Sequence, residues 1–213
     1  MDLHKLHTSG WTFVDGVSSG ADLLELGRAI GSPLPSPNGE MVRELRPTRA
    51  ADAIPGSQSA TYGTGAFPLH TDTVFWPIPV RYVILRAYGD TRRPTTVLSF
   101  AHLFHEFGAS FQLLAEESVW LVRGKPQDFY CSLRFRTGEL AGWRYDCDCM
   151  SPANPAAVEV DKLLRPFVIS APTDCIEWSG QMAVVLSNWS VLHGRGPAPP
   201  DEGLRVVERL YVR

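Results

Sequence analysis

Short apolar runs separated by proline- and glycine-containing turns dominate the chain, a pattern typical of many short β-strands. Strands are predicted where β-branched and aromatic residues concentrate. The predicted strands cover residues 41–45, 80–87, 119–123, 129–136, 143–145, 175–178, 182–186 and 205–212. Residues 50–65 are small and polar and predict a loop. Strands therefore account for most of the predicted structure.

Apolar residues at helical spacing predict a few helices among these strands. One helix is expected between Ser19 and Gly31, because Leu23, Leu26 and Ile30 recur along one face. Two more are expected at residues 100–117, with a break near Gly108, and at 156–168, where Pro166 should kink or end the helix. The chain shows neither an internal repeat nor a linker. It is thus predicted to be a single domain, residues 1–213, of the mainly β class with flanking helices (α+β).

Composition narrows the possible partners. The 213 residues carry 20 basic and 23 acidic side chains, a net charge of −3, and 44% of them are hydrophobic. This composition is that of a globular protein rather than a disordered one. The chain has no run of basic residues, so nucleic acid is not the expected partner. It also has no apolar stretch long enough to predict a membrane span, so a membrane partner is not expected. A small-molecule substrate is the expected partner, and the sequence leaves open whether the protein forms a homo-oligomer.

The four cysteines indicate a compartment more clearly than a site. Cys147 and Cys149 flank Asp148 and could contribute to a metal site, but sparse reduced thiols in a cytoplasmic protein are the favoured interpretation. The N-terminus shows no secretory signal, which also favours a cytoplasmic location.

Three residues form a candidate metal site. His70 and Asp72 are two apart, so on an extended segment their side chains point to the same side. His193 ends an apolar, strand-like run 121 positions after Asp72. A His-x-Asp motif with a distant histidine is the pattern of the two-histidine, one-carboxylate triad that binds ferrous iron and leaves positions open. Buried structural histidines are the alternative that the spacing alone allows.

Two arginines near the C-terminus strengthen the metal interpretation. Arg205 and Arg209 are four apart and would lie on the same face of an otherwise apolar strand. A guanidinium there can bind a carboxylate through two parallel hydrogen bonds. The alternative is that both arginines pair with surface carboxylates.

These motifs together resemble the iron(II)- and 2-oxoglutarate-dependent oxygenases of the taurine dioxygenase/TfdA type. The resemblance rests on His70-Thr71-Asp72, on the segment from Asn188 to His193-Gly194-Arg195, and on the Arg205/Arg209 pair. It implies a double-stranded β-helix (jelly-roll) core, with Fe(II) held by His70, Asp72 and His193. It also implies 2-oxoglutarate and O2 as cosubstrates.

The same resemblance implies the residues that bind the cosubstrate. Arg205 would bind the distal carboxylate of 2-oxoglutarate, and Thr96 would lie beside it, with Thr95 as the alternative. The family's two glycines ahead of this threonine are absent here. Arg209 matches a second arginine that contacts substrate in some members.

Substrate contacts are also suggested by position along the chain. Phe75 and Trp76 follow Asp72 closely and could form an aromatic wall, and Ser59 lies in the loop that precedes the triad. Core packing of the aromatic residues and turn formation by the serine are the alternatives.

The expected function is the hydroxylation, or another oxidation, of a small molecule, with release of succinate and CO2. An amino acid or a secondary-metabolite intermediate is the expected substrate. A cupin-type metalloenzyme and a catalytically silent jelly-roll binding module are the competing interpretations. The spacing of the histidines and the terminal arginine pair disfavour the cupin, and the complete ligand set disfavours the silent module.

Overall fold

The computed structural model describes residues 1–46, 48–55, 57–87, 91–124, 127–196 and 206–213, with the side chains of 91 and 92 not described. Its α-helices are α1 (Leu3–Ser9), α2 (Gly20–Ile30), α3 (Gln58–Tyr62), α4 (Phe100–Glu117) and α5 (Pro155–Ser170), and Ala50–Asp52 form a 3-10 turn. The first strands are β1 (Trp11–Asp15), β2 (Pro33–Leu34), β3 (Val42–Leu45), β4 (Phe67–His70), β5 (Tyr82–Ala87), β6 (Thr91–Ser99), β7 (Val119–Val122) and β8 (Phe129–Ser132). The remaining strands are β9 (Arg134–Thr137), β10 (Leu140–Trp143), β11 (Met150–Pro152), β12 (Asp174–Trp178), β13 (Met182–Ser187), β14 (Val191–Arg195) and β15 (Val207–Val212).

Two antiparallel sheets form the core of the fold. The larger has the order β1-β13-β5-β15-β2, with β3 also paired to β15, and the smaller has the order β12-β6-β14-β4. Neighbours in these sheets are mostly distant in sequence, as in the double-stranded β-helix that the sequence resemblance implied. Two small additional sheets, β10-β9 and β11-β7-β8, lie outside this core.

The facing sides of the two sheets enclose an apolar interior. Residues of both sheets share one buried cluster, which includes Val97 and Ile176 from the smaller sheet and Leu85, Val184 and Tyr211 from the larger. The burial of this much apolar surface is the main force that holds the sheets together.

Helices cover the outer sides of both sheets. Residues of α2 pack with Leu210 and Val212 on the outer face of the larger sheet. Residues of α4 and α5 pack with Leu98 and Leu192 on the outer face of the smaller one. The structure thus confirms a mainly β protein with flanking helices. Among the described residues, no helix is both long and apolar enough to cross a membrane.

Local signals predicted two helices well. Ser19 caps α2 in a reciprocal capping box with Asp22, and Gly31 ends the helix. Gly108 has a φ of 79° and kinks α4, as its position in the pattern predicted.

Three local predictions were wrong. Pro166 was predicted to kink or end α5, and the helix does not end there but continues to Ser170, because it packs along its length on the core. The predicted loop 50–65 contains the 3-10 turn and α3, and Ser57 caps α3 by accepting a hydrogen bond from the Ala60 amide. The predicted strand 129–136 is two strands, β8 and β9, and the strand predicted at 143–145 is β10, which ends at Trp143.

Candidate metal centre

Two adjacent strands bring the predicted ligands together. His70 is the last residue of β4 and lies directly opposite His193 of β14 in the antiparallel register. Paired residues of an antiparallel sheet point to the same face, so both imidazoles face the interior between the sheets. Their ring centroids are 4.7 Å apart.

Asp72 completes the group two residues beyond the end of β4. Its two carboxylate oxygens lie 3.7 Å from His70 Nε2 and 3.6 Å from His193 Nε2. One potential ligand atom from each of the three residues lies within 4.8 Å of the others, and all three side chains are buried. The site thus has the donor set of a facial triad.

Hydrogen bonds set the orientation of one imidazole more firmly than the other. His70 Nδ1 lies 3.0 Å from the Pro68 carbonyl oxygen, so the tautomer that donates there leaves the Nε2 lone pair facing Asp72. His193 Nδ1 is buried without a hydrogen-bond partner among the described residues.

Burial and neighbouring charges together set the pKa values of these groups. Burial alone would raise the pKa of Asp72, but the positive charge of Arg209 and the two nearby histidines outweigh it and hold that pKa well below its usual value. Burial lowers the pKa of His193, and the nearby Arg209 and His70 lower it further. For His70, burial lowers the pKa, but the charges of Asp72 and Asp146 outweigh it and raise that pKa above its ordinary value. Metal binding requires the ionised carboxylate and both imidazoles in their neutral form.

The backbone around the motif is fixed on both sides. The Thr71 amide donates to the Tyr145 carbonyl oxygen over 2.8 Å, and the Tyr145 amide donates to Thr71 Oγ1 over 3.0 Å. Asp72 is held through its backbone by the Asn188 side chain. Thr73, the next residue, has a φ of 57°, in the left-handed region that β-branched residues rarely adopt.

Among the described residues, Arg209 is a cation in direct contact with the triad. It lies on β15, and its Nη1 is 3.2 Å from both oxygens of Asp72. Its guanidinium also lies 4.5 Å from the ring centroid of Tyr211, which in turn packs edge-on against Trp76 at 6.1 Å. The structure therefore places Arg209 directly on the triad and links Trp76 to it through Tyr211, which the sequence did not single out.

The register of the smaller sheet distinguishes the two threonines. Thr95 pairs with Arg195, two residues from His193, and so faces the same side as the histidines. Thr95 is buried and accepts a hydrogen bond from Trp178 Nε1 over 3.3 Å. Thr96 pairs with Gly194 and faces the opposite side. The structure thus places the alternative, Thr95, on the inner face, and the preferred prediction, Thr96, on the outer face.

A second acidic group lies next to the triad. Asp146 is buried, and Gln58 Nε2 donates to its Oδ2 over 3.3 Å. The charges of Asp146 and His70 influence each other, and burial raises the pKa of Asp146. Tyr62 donates from its hydroxyl to Asp148 Oδ1 over 2.8 Å, so α3 is tied to the segment 146–148 at two points. The sequence analysis did not identify Asp146 or Gln58.

The structure describes two of the three remaining predicted site residues. Arg205 lies outside the described residues. Phe75 is half-buried against the outer core beneath α4 and α5, and Ser59 lies half-buried on α3 beside Gln58. The four cysteines are free thiols, and Cys147 forms a second group of potential ligands with Asp146 and Asp148.

The triad residues fit a ferrous ion. Two imidazole nitrogens and one carboxylate converge from one side and are buried, and the chemistry of this set suits Fe(II) with open positions for other ligands.

Comparison by sequence finds no protein-family model and no curated protein that matches the chain. Comparison by structure finds many solved relatives. An asparagine oxygenase in complex with Fe(II), 3-hydroxyasparagine and succinate superposes with a TM-score of 0.75 at 15% identity, over 99% of this chain and 77% of that one. The non-heme iron oxygenase OrfP, in complex with Fe, succinate and a dihydroxyarginine, gives 0.76 at 17% identity, over 99% and 79%. PvcB from Pseudomonas aeruginosa, described as an oxygenase from an isonitrile synthetic pathway that depends on Fe and alpha-ketoglutarate, gives 0.70 at 16% identity, over 99% and 78%. The chain therefore has the fold of these oxygenases.

Proposed function

We propose that this protein is an iron(II)- and 2-oxoglutarate-dependent oxygenase that hydroxylates a small molecule. The observation that carries the proposal is the convergence of His70, Asp72 and His193 in one buried group on the inner face of the fold. These three residues would hold Fe(II). The bound iron would supply the oxidising chemistry: substrate, 2-oxoglutarate and O2 give hydroxylated substrate, succinate and CO2.

The protein's own residues bind and orient the reactants in this proposal. Arg205, the arginine implied by the family resemblance, would hold the distal carboxylate of 2-oxoglutarate through charge-assisted hydrogen bonds. We assign the accompanying threonine to Thr95, because it faces the interior with the two histidines whereas Thr96 faces the opposite side of the sheet. Trp178 would hold the Thr95 hydroxyl in place.

We infer that the substrate is an amino acid. Two of the structural relatives were solved with hydroxylated asparagine or arginine. The site offers groups of both signs, which suits a zwitterion: the Arg209 guanidinium pairs with Asp72, and the Asp146 carboxylate interacts electrostatically with His70. Asp146 would accept hydrogen bonds from a substrate ammonium, and the aromatic pair Trp76 and Tyr211 would line the same space.

Anaerobic addition of Fe(II) and 2-oxoglutarate tests the metal site directly. The wild-type protein should develop the weak visible charge-transfer band of the iron–2-oxoglutarate chelate, and His193→Ala should not. His102→Ala is the matched control, because His102 is an exposed histidine on α4. A wild-type protein that retains no iron and shows no band would exclude this function.

A screen of amino acids scored by succinate release tests the substrate class. An amino acid substrate should raise succinate formation above the uncoupled background, and Asp146→Asn should raise the KM for that substrate. Stimulation by uncharged molecules alone, unaffected by Asp146→Asn, would contradict an amino acid substrate and leave the oxygenase assignment intact.

A further inference from the structure

Asn188 holds Asp72 by hydrogen bonds to its backbone on both sides. The Asp72 amide donates to Asn188 Oδ1 over 2.8 Å, and Asn188 Nδ2 donates to the Asp72 carbonyl oxygen over 3.0 Å. Asn188 is fully buried, in the turn between β13 and β14. It therefore fixes the backbone of a metal ligand that lies 116 residues away in the chain.

The same asparagine reaches a third group. Asn188 Nδ2 also donates to the Val80 carbonyl oxygen over 2.9 Å. The Val80 amide in turn donates to Thr73 Oγ1 over 2.9 Å. Hydrogen bonds thus link Asp72 to Asn188, Asn188 to Val80 and Val80 to Thr73, and the Asp72–Thr73 peptide bond closes the ring, which we call the Asp72 clamp.

The clamp explains a costly backbone conformation. Thr73 has a φ of 57°, and a left-handed conformation costs an L-residue with a Cβ roughly 1–2 kcal/mol. Such a conformation persists only where contacts with the surrounding structure hold it in place, and it is often found at functional sites. Here the bonds on either side of the Asp72–Thr73 peptide supply that constraint. The clamp thus fixes the backbone of Asp72, whose carboxylate oxygens lie 3.7 Å from His70 Nε2 and 3.6 Å from His193 Nε2.

We propose that Asn188 is a positioning residue for metal binding and that the Asp72 clamp sets the geometry of the metal-ligating carboxylate. The inference rests on the proposed function, since it presumes that Asp72 binds a metal. If Asn188 positions Asp72, its removal should lower the affinity of the protein for metal. Removal of groups that orient a metal ligand without touching the metal typically lowers metal affinity about 10–100-fold.

The test compares Asn188→Ala with Asn154→Ala. Asn154 is a matched control because its side chain also makes three bonds to backbone groups, with the amides of Val119 and Ala157 and the carbonyl of Glu117. Both substitutions should lower the free energy of unfolding. Only Asn188→Ala should raise the dissociation constant for Mn²⁺, measured by the electron paramagnetic resonance signal of the free ion, by about 10–100-fold. It should also shift the visible band of the iron–2-oxoglutarate complex.

Three results overturn the inference or its premise. Equal Mn²⁺ dissociation constants for wild type and a folded Asn188→Ala variant would overturn the clamp while leaving the oxygenase assignment standing. A wild-type protein that binds no Mn²⁺ or Fe²⁺ would overturn both. If Asn188→Ala does not fold, the near-isosteric Thr73→Val decides: it removes the hydroxyl that accepts from Val80, and it should weaken Mn²⁺ binding in the same direction by a smaller factor. Unchanged binding in Thr73→Val would then overturn the clamp.

Discussion

The Arg209 guanidinium lies 3.2 Å from both carboxylate oxygens of Asp72, the residue whose carboxylate also faces the two histidines. Arg209 and Asp72 have 16% and 8% of their side-chain surface exposed, so this ion pair is largely shielded from water. A buried carboxylate needs a neighbouring positive charge. In the metal-free protein Arg209 meets that need, and a bound divalent ion would also meet it.

Arg209→Met should therefore make the protein more dependent on metal for its stability. The variant leaves Asp72 buried without its cation, which should lower the free energy of unfolding by about 3–5 kcal/mol in the presence of a chelator. Mn²⁺ should restore much of that loss, so the rise in Tm on metal addition should be larger in the variant than in the wild type. Thermal unfolding with and without Mn²⁺ measures both.

The matched control for this variant is Arg123→Met. Arg123 pairs with Asp128 at 2.7 Å, but both side chains are well exposed, so the loss should be within about 1 kcal/mol. The same metal-induced rise in Tm in Arg209→Met and wild type would show that the metal does not replace Arg209 at Asp72.

Thr95→Val and Thr96→Val should separate the two threonines. The substitutions are of the same size and act on adjacent residues, but only Thr95 faces the interior. Thr95→Val should raise the concentration of 2-oxoglutarate needed for half-maximal formation of the visible band, and Thr96→Val should leave it near the wild-type value. The reverse order would return the role to Thr96.

Gly194→Ala should disturb the metal site through β4. A Cβ at Gly194 would lie 2.6 Å from the Phe67 carbonyl oxygen and 3.3 Å from the Pro68 carbonyl carbon, so β4, which carries His70, would have to move. Overpacking of this kind costs about 1–3 kcal/mol, and Mn²⁺ affinity should fall with it. Titration of each variant with Mn²⁺ and urea measures the two effects.

Gly138→Ala is the control for that substitution. Gly138 has a φ of 59° in the turn between β9 and β10, and a Cβ there would contact nothing within 4 Å. Its substitution should cost about 1–2 kcal/mol of stability through backbone strain, without an effect on metal affinity. An equal loss of Mn²⁺ affinity in both variants would mean that β4 does not transmit the effect.

Glu208→Gln should destabilise the larger sheet. Glu208 pairs with Arg86 across β15 and β5, at 2.6–2.8 Å, and both side chains are about nine-tenths buried. Neutralising Glu208 leaves the buried Arg86 guanidinium without its negatively charged neighbour on β15. The free energy of unfolding should fall by up to about 3–5 kcal/mol as a result. Glu159→Gln, which breaks an exposed pair with Lys162, should cost less than about 1 kcal/mol. Similar urea midpoints for the two variants would contradict the prediction.

The α2 capping box should contribute stability that depends on pH. Hydrogen bonds from Ser18 and Ser19 hold the pKa of Asp22 below its ordinary value of 3.8. A lowered pKa in the folded state means that the stabilisation is complete above 3.8 and is lost as the pH falls through the folded-state pKa. Wild type should therefore be more stable than Asp22→Asn at pH 7, and the difference should shrink toward pH 2. A difference that does not change with pH would exclude the carboxylate as its source.

Much of the secondary structure could be predicted from local signals, and the exceptions have different causes. The predicted α2 was correct because its cap and closing glycine act within the helix itself. Pro166 was expected to kink or end α5, and the helix does not end there because packing on the core outweighs the local cost of the proline. The segment 50–65 looks like a loop because its residues are small and polar, yet local capping by Ser57 is enough for a short helix.

The sequence by itself determined the chemistry of the candidate site. His70, Asp72 and His193 are the residue types that bind ferrous iron, and the alternation of strand side chains placed the first two on one side. Only the tertiary structure decided which residues surround them. The pairing of β14 with β4 and β6 set His193 opposite His70 and put Thr95 on the inner face instead of Thr96. Three residues of the site lie 74 to 139 positions after Asp72 in the sequence: Asn188, Asp146 and Tyr211. Backbone hydrogen bonds, burial and the sheet register bring them to the site. Such contacts depend on three-dimensional packing, and no local pattern in a single sequence encodes them.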